Sequence, residues 1–203
     1  MLFSDTYLEP AEHGEAALRE RGSRFFGHVW PVFSEDEVRE KMQAMRLAYP
    51  DATHHCYAYV LYPDKAAQKA SDDGEPANSA GKPILRAILS RDLTNVLVVV
   101  VRYFGGTQLG IPGLIQSYGE CAKMVLEQVS VSEKLIEEMY ILSTDFSHEQ
   151  EIHRLIQRYS ARVLKNEYTD RVSYTLAVRR RWVIEFEKAV AENYLITDSS
   201  AMD

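Results

Sequence analysis

An unbroken run of aliphatic residues occupies positions 96–101 of the chain, with polar sequence before it and glycine-rich sequence after it. The run is too short to cross a membrane and is typical of a strand that is buried on both faces. Residues 71–76 are acidic and turn-forming, and residues 105–113 contain four glycines. Functional residues are commonly carried by loops that a rigid element supports. The pattern therefore predicts a functional site around a central strand at residues 95–102.

The sequence before residue 50 predicts a strand followed by a helix. Residues 23–33 alternate loosely between the two faces of a strand, and residues 15–21 fit either a helical turn or the approach to that strand. Ser34 and Glu37 have the spacing of a capping box, in which each side chain accepts a hydrogen bond from the other residue's backbone amide. One face of the helix that follows is apolar, and Pro50 ends the helix. That stripe is typical of a core-facing helix, and its members are Val38, Met42, Met45 and Tyr49.

Three further elements surround the central strand. Residues 55–62 are rich in aromatic and β-branched residues and predict a strand, whereas residues 63–80 have almost no apolar periodicity and predict a long loop. A helix is predicted to open at Lys82 and Pro83, with proline at its first position. Its predicted buried face consists of Ile84, Leu85, Ile88 and Leu89. Another helix, at residues 113–129, is predicted to pack through Leu114, Tyr118, Cys121 and Val125.

The last third of the chain predicts a separate domain. Strand and helix patterns follow one another in the order strand, helix, strand, strand, helix, and residues 194–197 could form a last strand. This order is most of a ferredoxin-like unit. The helices are predicted at residues 149–159 and 182–193, and a turn at Thr169 and Asp170 joins the two middle strands. We therefore expect an α+β protein of two domains, residues 1–132 and 133–203.

Composition limits the class of protein. The 203 residues have a formal net charge of -7, which argues against a protein that coats nucleic acid non-specifically. Cys56 and Cys121 lie far apart without CxxC spacing and predict reduced thiols in a cytoplasmic protein. Residues 1–20 contain no apolar segment typical of a signal peptide. We expect no membrane span and no cofactor; the sequence leaves the oligomeric state open.

Three carboxylates are clustered at Asp72, Asp73 and Glu75. Such a cluster could bind a divalent cation or supply a general base, but it lacks EF-hand spacing and has no histidine nearby in the sequence. The alternative is a solvated turn whose acids pair with Lys82, Arg86 or Arg102. A third possibility is that the acids bind basic side chains of a partner or positions on RNA bases.

Arg102 is the last residue of the predicted central strand and is predicted to face the glycine-rich stretch. A guanidinium can hold a phosphate or carboxylate in two parallel hydrogen bonds, and glycine-rich backbone before a helix can present amides to an anion. No Walker loop or GxGxxG motif is present, so the alternative is a tight turn with Arg102 paired to a carboxylate. The predicted binding site comprises Asp72, Asp73, Glu75, Lys82, Arg102, Tyr103, Gly105, Gly106, Gly110 and His54.

Two other groups of residues contain candidate ligands. His54, His55 and Cys56 predict no metal site, because only His54 and Cys56 share a face of a strand and no second pair of ligands follows. The basic run Arg179, Arg180 and Arg181 precedes Trp182 and could contact an RNA backbone and stack on a base. A solvated strand end is the alternative interpretation of that run. The sequence contains no complete catalytic constellation.

Several short motifs closely resemble those of the YigZ/IMPACT family. They cover roughly residues 18–128 in the family's order, at positions 22–25, 52–59, 71–76, 80–84, 93–96 and 102–106. One departure is the string Gly110-Ile111-Pro112-Gly113, where the family usually has a small residue followed by two glycines. Pro112 removes one backbone donor from that string.

The resemblance has implications for fold and function. It implies an N-terminal domain with the ribosomal-protein-like fold of the fourth domain of elongation factor G, and a ferredoxin-like C-terminal domain similar to that factor's fifth domain. Eukaryotic members act as translational regulators by competing for an activator of an initiation-factor kinase. We therefore expect a non-enzymatic binding protein whose partner is the ribosome, structured RNA or a translation-regulatory protein. The alternative is an enzyme or small-anion-binding protein that uses residues 72–75 and 102–113.

Overall fold

The computed structural model describes residues 5–198, whose contacts form two units. One unit consists of residues 7–134, and the other of residues 5–6 and 135–198. The outer ends of the two predicted domains, residues 1–4 and 199–203, lie outside the described residues. The fold class is α+β, as the sequence predicts. No helix within residues 5–198 is long and apolar enough to span a bilayer.

The first part of the chain builds a five-stranded antiparallel sheet. In chain order its elements are β1 (Thr6–Pro10), β2 (Gly14–Glu20), β3 (Ser23–Pro31), α1 (Glu35–Ala48), β4 (His54–Leu61), β5 (Ala67–Ser71), α2 (Gly81–Ser90), β6 (Val96–Tyr103), α3 (Gly110–Glu127) and β7 (Val131–Leu135). The sheet order is β2-β3-β6-β4-β5, and β1 pairs separately with β7. The apolar run therefore lies in the middle strand of the sheet.

Both faces of β6 are buried, as its sequence predicts. Val96, Val98 and Val100 pack in the core that contains α2 and α3. Leu97 and Val99 belong to the core on the opposite face, beneath α1. An aliphatic strand between two helical layers positions its ends rigidly, because every side chain along it is packed.

Some predicted boundaries change in the structure. The predicted loop at residues 63–80 contains β5, which hydrogen-bonds to β4 along the edge of the sheet. α2 begins at Gly81, so Pro83 is its third residue, and Leu89 is 40% exposed while Ala87 is buried. α3 begins at Gly110 instead of Gly113. The sequence misses β5 because it is a polar edge strand, and it places the starts of α2 and α3 too late because glycine at a helix start suggests a loop.

The capping box before α1 is only half formed. The Ser34 hydroxyl accepts a hydrogen bond from the Glu37 amide at 3.2 Å, as predicted. The Glu37 carboxylate instead accepts from the amide of Phe33, one residue before the cap, at 3.0 Å. Both bonds still satisfy amides at the start of the helix.

The second unit has the ferredoxin-like order of elements. These are β8 (Glu137–Thr144), α4 (Glu149–Tyr159), β9 (Arg162–Tyr168), β10 (Val172–Arg179), α5 (Val183–Ala191) and β11 (Thr197–Asp198). Their sheet order is β11-β8-β10-β9, with antiparallel neighbours. α4 has the predicted bounds, and its residues Ile152, Leu155 and Tyr159 are buried. The ferredoxin-like prediction is therefore confirmed.

Candidate functional site

The centre of the predicted site is a buried ion pair between Arg102 and Glu75. The two side chains are 6% and 4% exposed, and an Arg102 guanidinium nitrogen lies 2.6 Å from Glu75 Oε1. Arg102 occupies the end of β6, and Glu75 lies in the acidic segment that follows β5. The turn after β5 therefore carries the acid back to the sheet, where the charge of Arg102 is neutralised.

Three groups that the sequence did not identify complete the surroundings of the pair. The Tyr118 hydroxyl donates to Glu75 Oε1 at 2.7 Å, and the Ser23 hydroxyl accepts from Arg102 at 3.2 Å. The guanidinium carbon lies 5.5 Å from the centre of the Phe25 ring. Tyr118 was predicted to face inward on its helix, and a buried tyrosine hydroxyl normally requires a partner. That requirement was the one available signal for its role.

A cleft opens beside the ion pair at the start of α3. Its volume is about 310 Å³, and the residues that line it are Glu75, Pro76, Arg102, Phe104, Gln108, Leu109, Gly110, Ile111 and Leu114. The rim is apolar, because Phe104 is 47% and Ile111 53% exposed. The cleft thus has a neutralised ion pair at its base and hydrophobic side chains around its entrance.

Asp72 serves as the acceptor for the start of α2. Its two carboxylate oxygens accept hydrogen bonds from the amides of Asn78, Ala80 and Gly81 at 2.8–3.0 Å. Burial by itself raises the pKa of this carboxyl, but the bonds from Asn78, Gly81 and Ala80 outweigh that effect and hold the pKa below its ordinary value. Asp72 therefore acts as a helix cap supplied from a neighbouring turn.

Removing this cap should destabilise the protein in a pH-dependent way. Asp72→Asn is expected to lower the free energy of unfolding by about 2 kcal/mol at neutral pH, since a charged acceptor of three amides is lost. Because the folded pKa is depressed, the contribution of Asp72 is present above the unfolded pKa and is lost as pH falls through the folded pKa. The difference between wild type and variant should therefore shrink below about pH 4. Urea unfolding across this range measures it.

The matched control is Asp51→Asn, which alters an exposed carboxylate in the turn before β4. This control should differ little from wild type at either end of the range. An Asp72→Asn deficit that stays constant down to low pH would contradict the capping role.

Asp73 and His54 join a second set of contacts. Asp73 accepts from the His55 amide at 2.7 Å and from Arg46 at 3.1 Å. Burial raises the pKa of Asp73, but these two bonds outweigh it, so the pKa lies below its ordinary value. His54 donates from Nδ1 to the Asp73 carbonyl at 2.8 Å, and its Nε2 lies 3.8 Å from Glu75 Oε1. The three clustered acids thus have different partners: Asp72 binds amides at the start of α2, Asp73 binds the start of β4 and Arg46, and Glu75 binds Arg102.

The structure separates the remaining predicted residues. Tyr103 lies on the opposite face of the sheet from Arg102, where it packs edge-on against Phe26. Lys82 is exposed on α2, close enough to Asp72 to lower that carboxyl's pKa. The glycines also differ in role. Gly105 packs against Gly22, Gly106 faces open space, and Gly110 lines the cleft.

The basic run lies in the second unit. Arg179 ends β10, and Arg180 and Arg181 begin a short 3₁₀ turn before α5. Arg181 Nε lies 3.1 Å from the carboxylate of Asp5, and its guanidinium stacks over Trp182. The run is therefore only partly available to an external partner.

The reactive side chains near the cleft are held in unreactive states. Burial raises the pKa of the Cys56 thiol strongly, and its S–H donates to the Asp72 carbonyl at 3.0 Å. Burial likewise raises the pKa of the Tyr118 hydroxyl, followed by the effects of Cys56 and Glu75. The other cysteine, Cys121, is buried in α3, and burial raises the pKa of its thiol to about 12. Thiols of this kind are poor nucleophiles at neutral pH.

Two family models match the chain. Residues 21–126 match the model described as the Impact N-terminal domain. Residues 142–194 match the model described as a domain of unknown function, DUF1949. The first match contains the whole Arg102 cleft, and the second contains most of the ferredoxin-like unit.

Similar proteins occur in bacteria and in animals. The chain is 30% identical over 190 residues to IMPACT family member YigZ of Escherichia coli (strain K12), covering 93% of each. It is 36% identical over 124 residues to Protein IMPACT of Rattus norvegicus, covering 59% of this chain and 38% of that protein. The crystal structure of a hypothetical protein is similar to this chain, with 28% sequence identity, a TM-score of 0.70 and 97% coverage of both chains.

Proposed function

Because the chain belongs to the IMPACT family, we propose that it is a non-enzymatic, cytoplasmic binding protein that acts in the regulation of translation. The family membership agrees with the resemblance that its motifs suggested. Eukaryotic members act as translational regulators, as that resemblance implied. The cleft beside Arg102 is the surface through which we expect this chain to contact a protein of the translation apparatus.

The observation that carries this proposal is the apolar rim of the cleft. Phe104 precedes α3 and Ile111 lies in its first turn; both line the cleft, and they are 47% and 53% exposed. Exposed apolar side chains grouped around a concave surface are typical of protein-binding sites. The ion pair at the base is already neutralised, so an apolar side chain of a partner can enter without meeting an unpaired charge.

The positions of the polar groups favour binding over catalysis. Asp72, Asp73 and Glu75 each accept hydrogen bonds from structural partners within the described residues. A general base needs a free acceptor within reach of the substrate. Cys56 has a raised pKa and is buried, which disfavours nucleophilic attack.

Direct RNA binding through the predicted arginines receives less support. Arg102 is 5% exposed, so its guanidinium is out of reach of an RNA backbone. Arg181 is paired with Asp5, and the net charge of the chain is -7. RNA contact would then depend mainly on Arg179 and Arg180, which supply few phosphate contacts.

Co-sedimentation with ribosomes that retain their bound factors tests the proposal. The chain should pellet with them at low salt and retain most of this association at high salt, because apolar contacts are screened little. Ile111→Glu should weaken the association by about ten-fold or more, since it puts a charge on the cleft rim. The same variant should lose any effect of the chain on a reconstituted translation reaction.

Ile184→Glu is the matched control. Ile111 and Ile184 are each the second residue of a helix, and both are exposed. A glutamate in the first helical turn is favourable to stability at either site. A triple Arg179/Arg180/Arg181→Ala variant tests the RNA alternative. An association that falls steeply with salt and is abolished only by the triple variant would indicate that the partner is RNA and not a protein. No association at any salt would overturn the proposal.

Small-anion binding is the second candidate function. Leu109 precedes α3 without a side-chain cap, and Gly110 and Ile111 place backbone at the cleft. Helix starts of this kind can hold phosphate, although Pro112 supplies no amide and Arg102 is already paired. A rise in melting temperature of the wild type with inorganic phosphate, absent in Ile111→Glu, would favour this function over protein binding.

A further inference from the structure

Three metal-ligating side chains lie close together on the face of the N-terminal sheet opposite the Arg102 cleft. They are His13, Glu15 and His28, hereafter the His-Glu-His cluster. One ligand atom from each lies within 4.8 Å of the ligand atoms of the other two. None of the three contributes to the cleft already described.

Strand register brings the cluster together. Glu15 in β2 is directly opposite His28 in β3, so their side chains point to the same side of the sheet. His13 immediately precedes β2 and is two residues from Glu15, which gives it the same side by strand alternation. The sequence brings only His54 and Cys56 to attention as ligands, because His28 reaches Glu15 only through the register of β2 and β3.

The distances suit a small divalent ion. Glu15 Oε1 lies 3.4 Å from His28 Nδ1 and 3.6 Å from His13 Nε2. Ligand atoms about 2.0–2.2 Å from a tetrahedral zinc ion are themselves about 3.4 Å apart. The His13 side chain is 40% exposed and can adjust its position, whereas the His28 side chain is 5% exposed and is held by the sheet.

One ring nitrogen of His28, Nδ1, is buried and lies 3.4 Å from Glu15 Oε1. The side chain is 5% exposed, and among the described residues Nδ1 is buried without a hydrogen bond. Its other nitrogen, Nε2, lies 3.0 Å from the Tyr49 hydroxyl. Buried polar atoms are rarely unsatisfied, and a metal ion shared between Nδ1 and Glu15 Oε1 would satisfy this one. An Nε2–H bond to Tyr49 would leave the lone pair of Nδ1 directed at the cluster, as ligating histidines require.

We propose that His13, Glu15 and His28 bind one divalent first-row transition-metal ion, for which Zn²⁺ is the best-fitting probe. Two imidazoles and one carboxylate are a ligand set that zinc accepts, and they leave a fourth position open. A cleft of about 240 Å³ beside the cluster is lined by Glu15, Phe26, His28 and Tyr49, among others. Water or a small anionic ligand can reach the open position through it.

Trp30 provides a reporter for this site. The rings of His13 and His28 lie parallel to the Trp30 ring system, with centroids 4.7 and 5.5 Å away. A ligating nitrogen must point at the ion in the plane of its ring, so binding turns the exposed His13 ring away from Trp30. In a Trp182→Phe background, the fluorescence of Trp30 should therefore change as zinc binds.

Zinc titration of the untagged, chelator-treated full chain by calorimetry is the test. The wild type should bind one Zn²⁺ per chain. His13→Ala and Glu15→Gln should each weaken binding by more than about 100-fold, beyond the roughly 10- to 100-fold typical for loss of an outer-sphere partner. Both substitutions are at exposed positions, so urea unfolding should give wild-type stability without metal.

His148→Ala is the control, because His148 is a partly exposed histidine outside the cluster. Its zinc affinity should equal that of the wild type. The proposal is overturned if the wild type shows no saturable zinc binding. It is equally overturned if His13→Ala and Glu15→Gln bind zinc as tightly as His148→Ala does, since the zinc would then occupy other residues.

Discussion

Glu75→Ala is expected to lower the free energy of unfolding by about 3–5 kcal/mol, the largest effect of a single substitution at the cleft. The change leaves the guanidinium of Arg102 buried without a counter-charge, because its side chain is 6% exposed. It also removes the acceptor of the Tyr118 hydroxyl. The cost arises mainly from the unpaired charge that remains. Urea unfolding at neutral pH measures it.

Two further variants separate this explanation from a general loss of packing. The double variant Glu75→Leu with Arg102→Met removes both charges and should recover most of the stability, since apolar replacements of buried ion pairs are often neutral. Arg46→Ala breaks the partly exposed pair with Asp73 and should cost no more than about 1 kcal/mol. A double variant as unstable as Glu75→Ala would show that the pair does more than neutralise its own charges.

Gly105→Ala is expected to cost about 3 kcal/mol or more, through a clash between two backbone segments. A Cβ atom at this position would lie 1.9 Å from the carbonyl carbon of Gly22 and 2.2 Å from the amide of Ser23. Both atoms belong to the backbone, so neither can move aside as a side chain would. The clash would also shift Ser23, whose hydroxyl accepts from Arg102 and from the Gly105 amide. Thermal and urea unfolding should both report the loss.

The adjacent glycine supplies the control. Gly106 has a φ of +82° and would place a Cβ in open space, so Gly106→Ala should cost only about 1–2 kcal/mol of conformational strain. If the two alanine variants were equally stable, the close approach of residues 22 and 105 would not be a tight constraint.

The candidate site was predictable in part. The acidic segment and Arg102 were identified because turn-forming acids and a lone arginine after an aliphatic strand are unusual in a sequence. A pairing of Arg102 with one of these acids is among the predictions from the sequence, and Glu75 is the acid that forms it. Asp72 could not be distinguished from Glu75 by sequence, because its role depends on three amides six to nine residues further along the chain.

Secondary structure was easier to predict than the contacts between elements. The two-sided burial of β6, the core stripes of α1, α3 and α4, and the ferredoxin-like order follow from periodicity and turn residues, which are properties of neighbouring positions. β5 was missed because it is a polar edge strand with little periodicity of its own. Tyr103 was grouped with Arg102 by proximity in sequence, although adjacent strand residues face opposite ways.

The amino-acid pattern alone established a two-domain α+β chain, its family, and the segments around β6 in which polar groups collect. Tertiary structure alone identified the partners: Ser23 with Arg102, 79 residues apart, Tyr118 with Glu75, 43 apart, and His28 with His13 and Glu15. The physical reason is that local preference acts over a few residues. Which distant side chains meet is set by strand register and helix packing, and these form only when the whole core does.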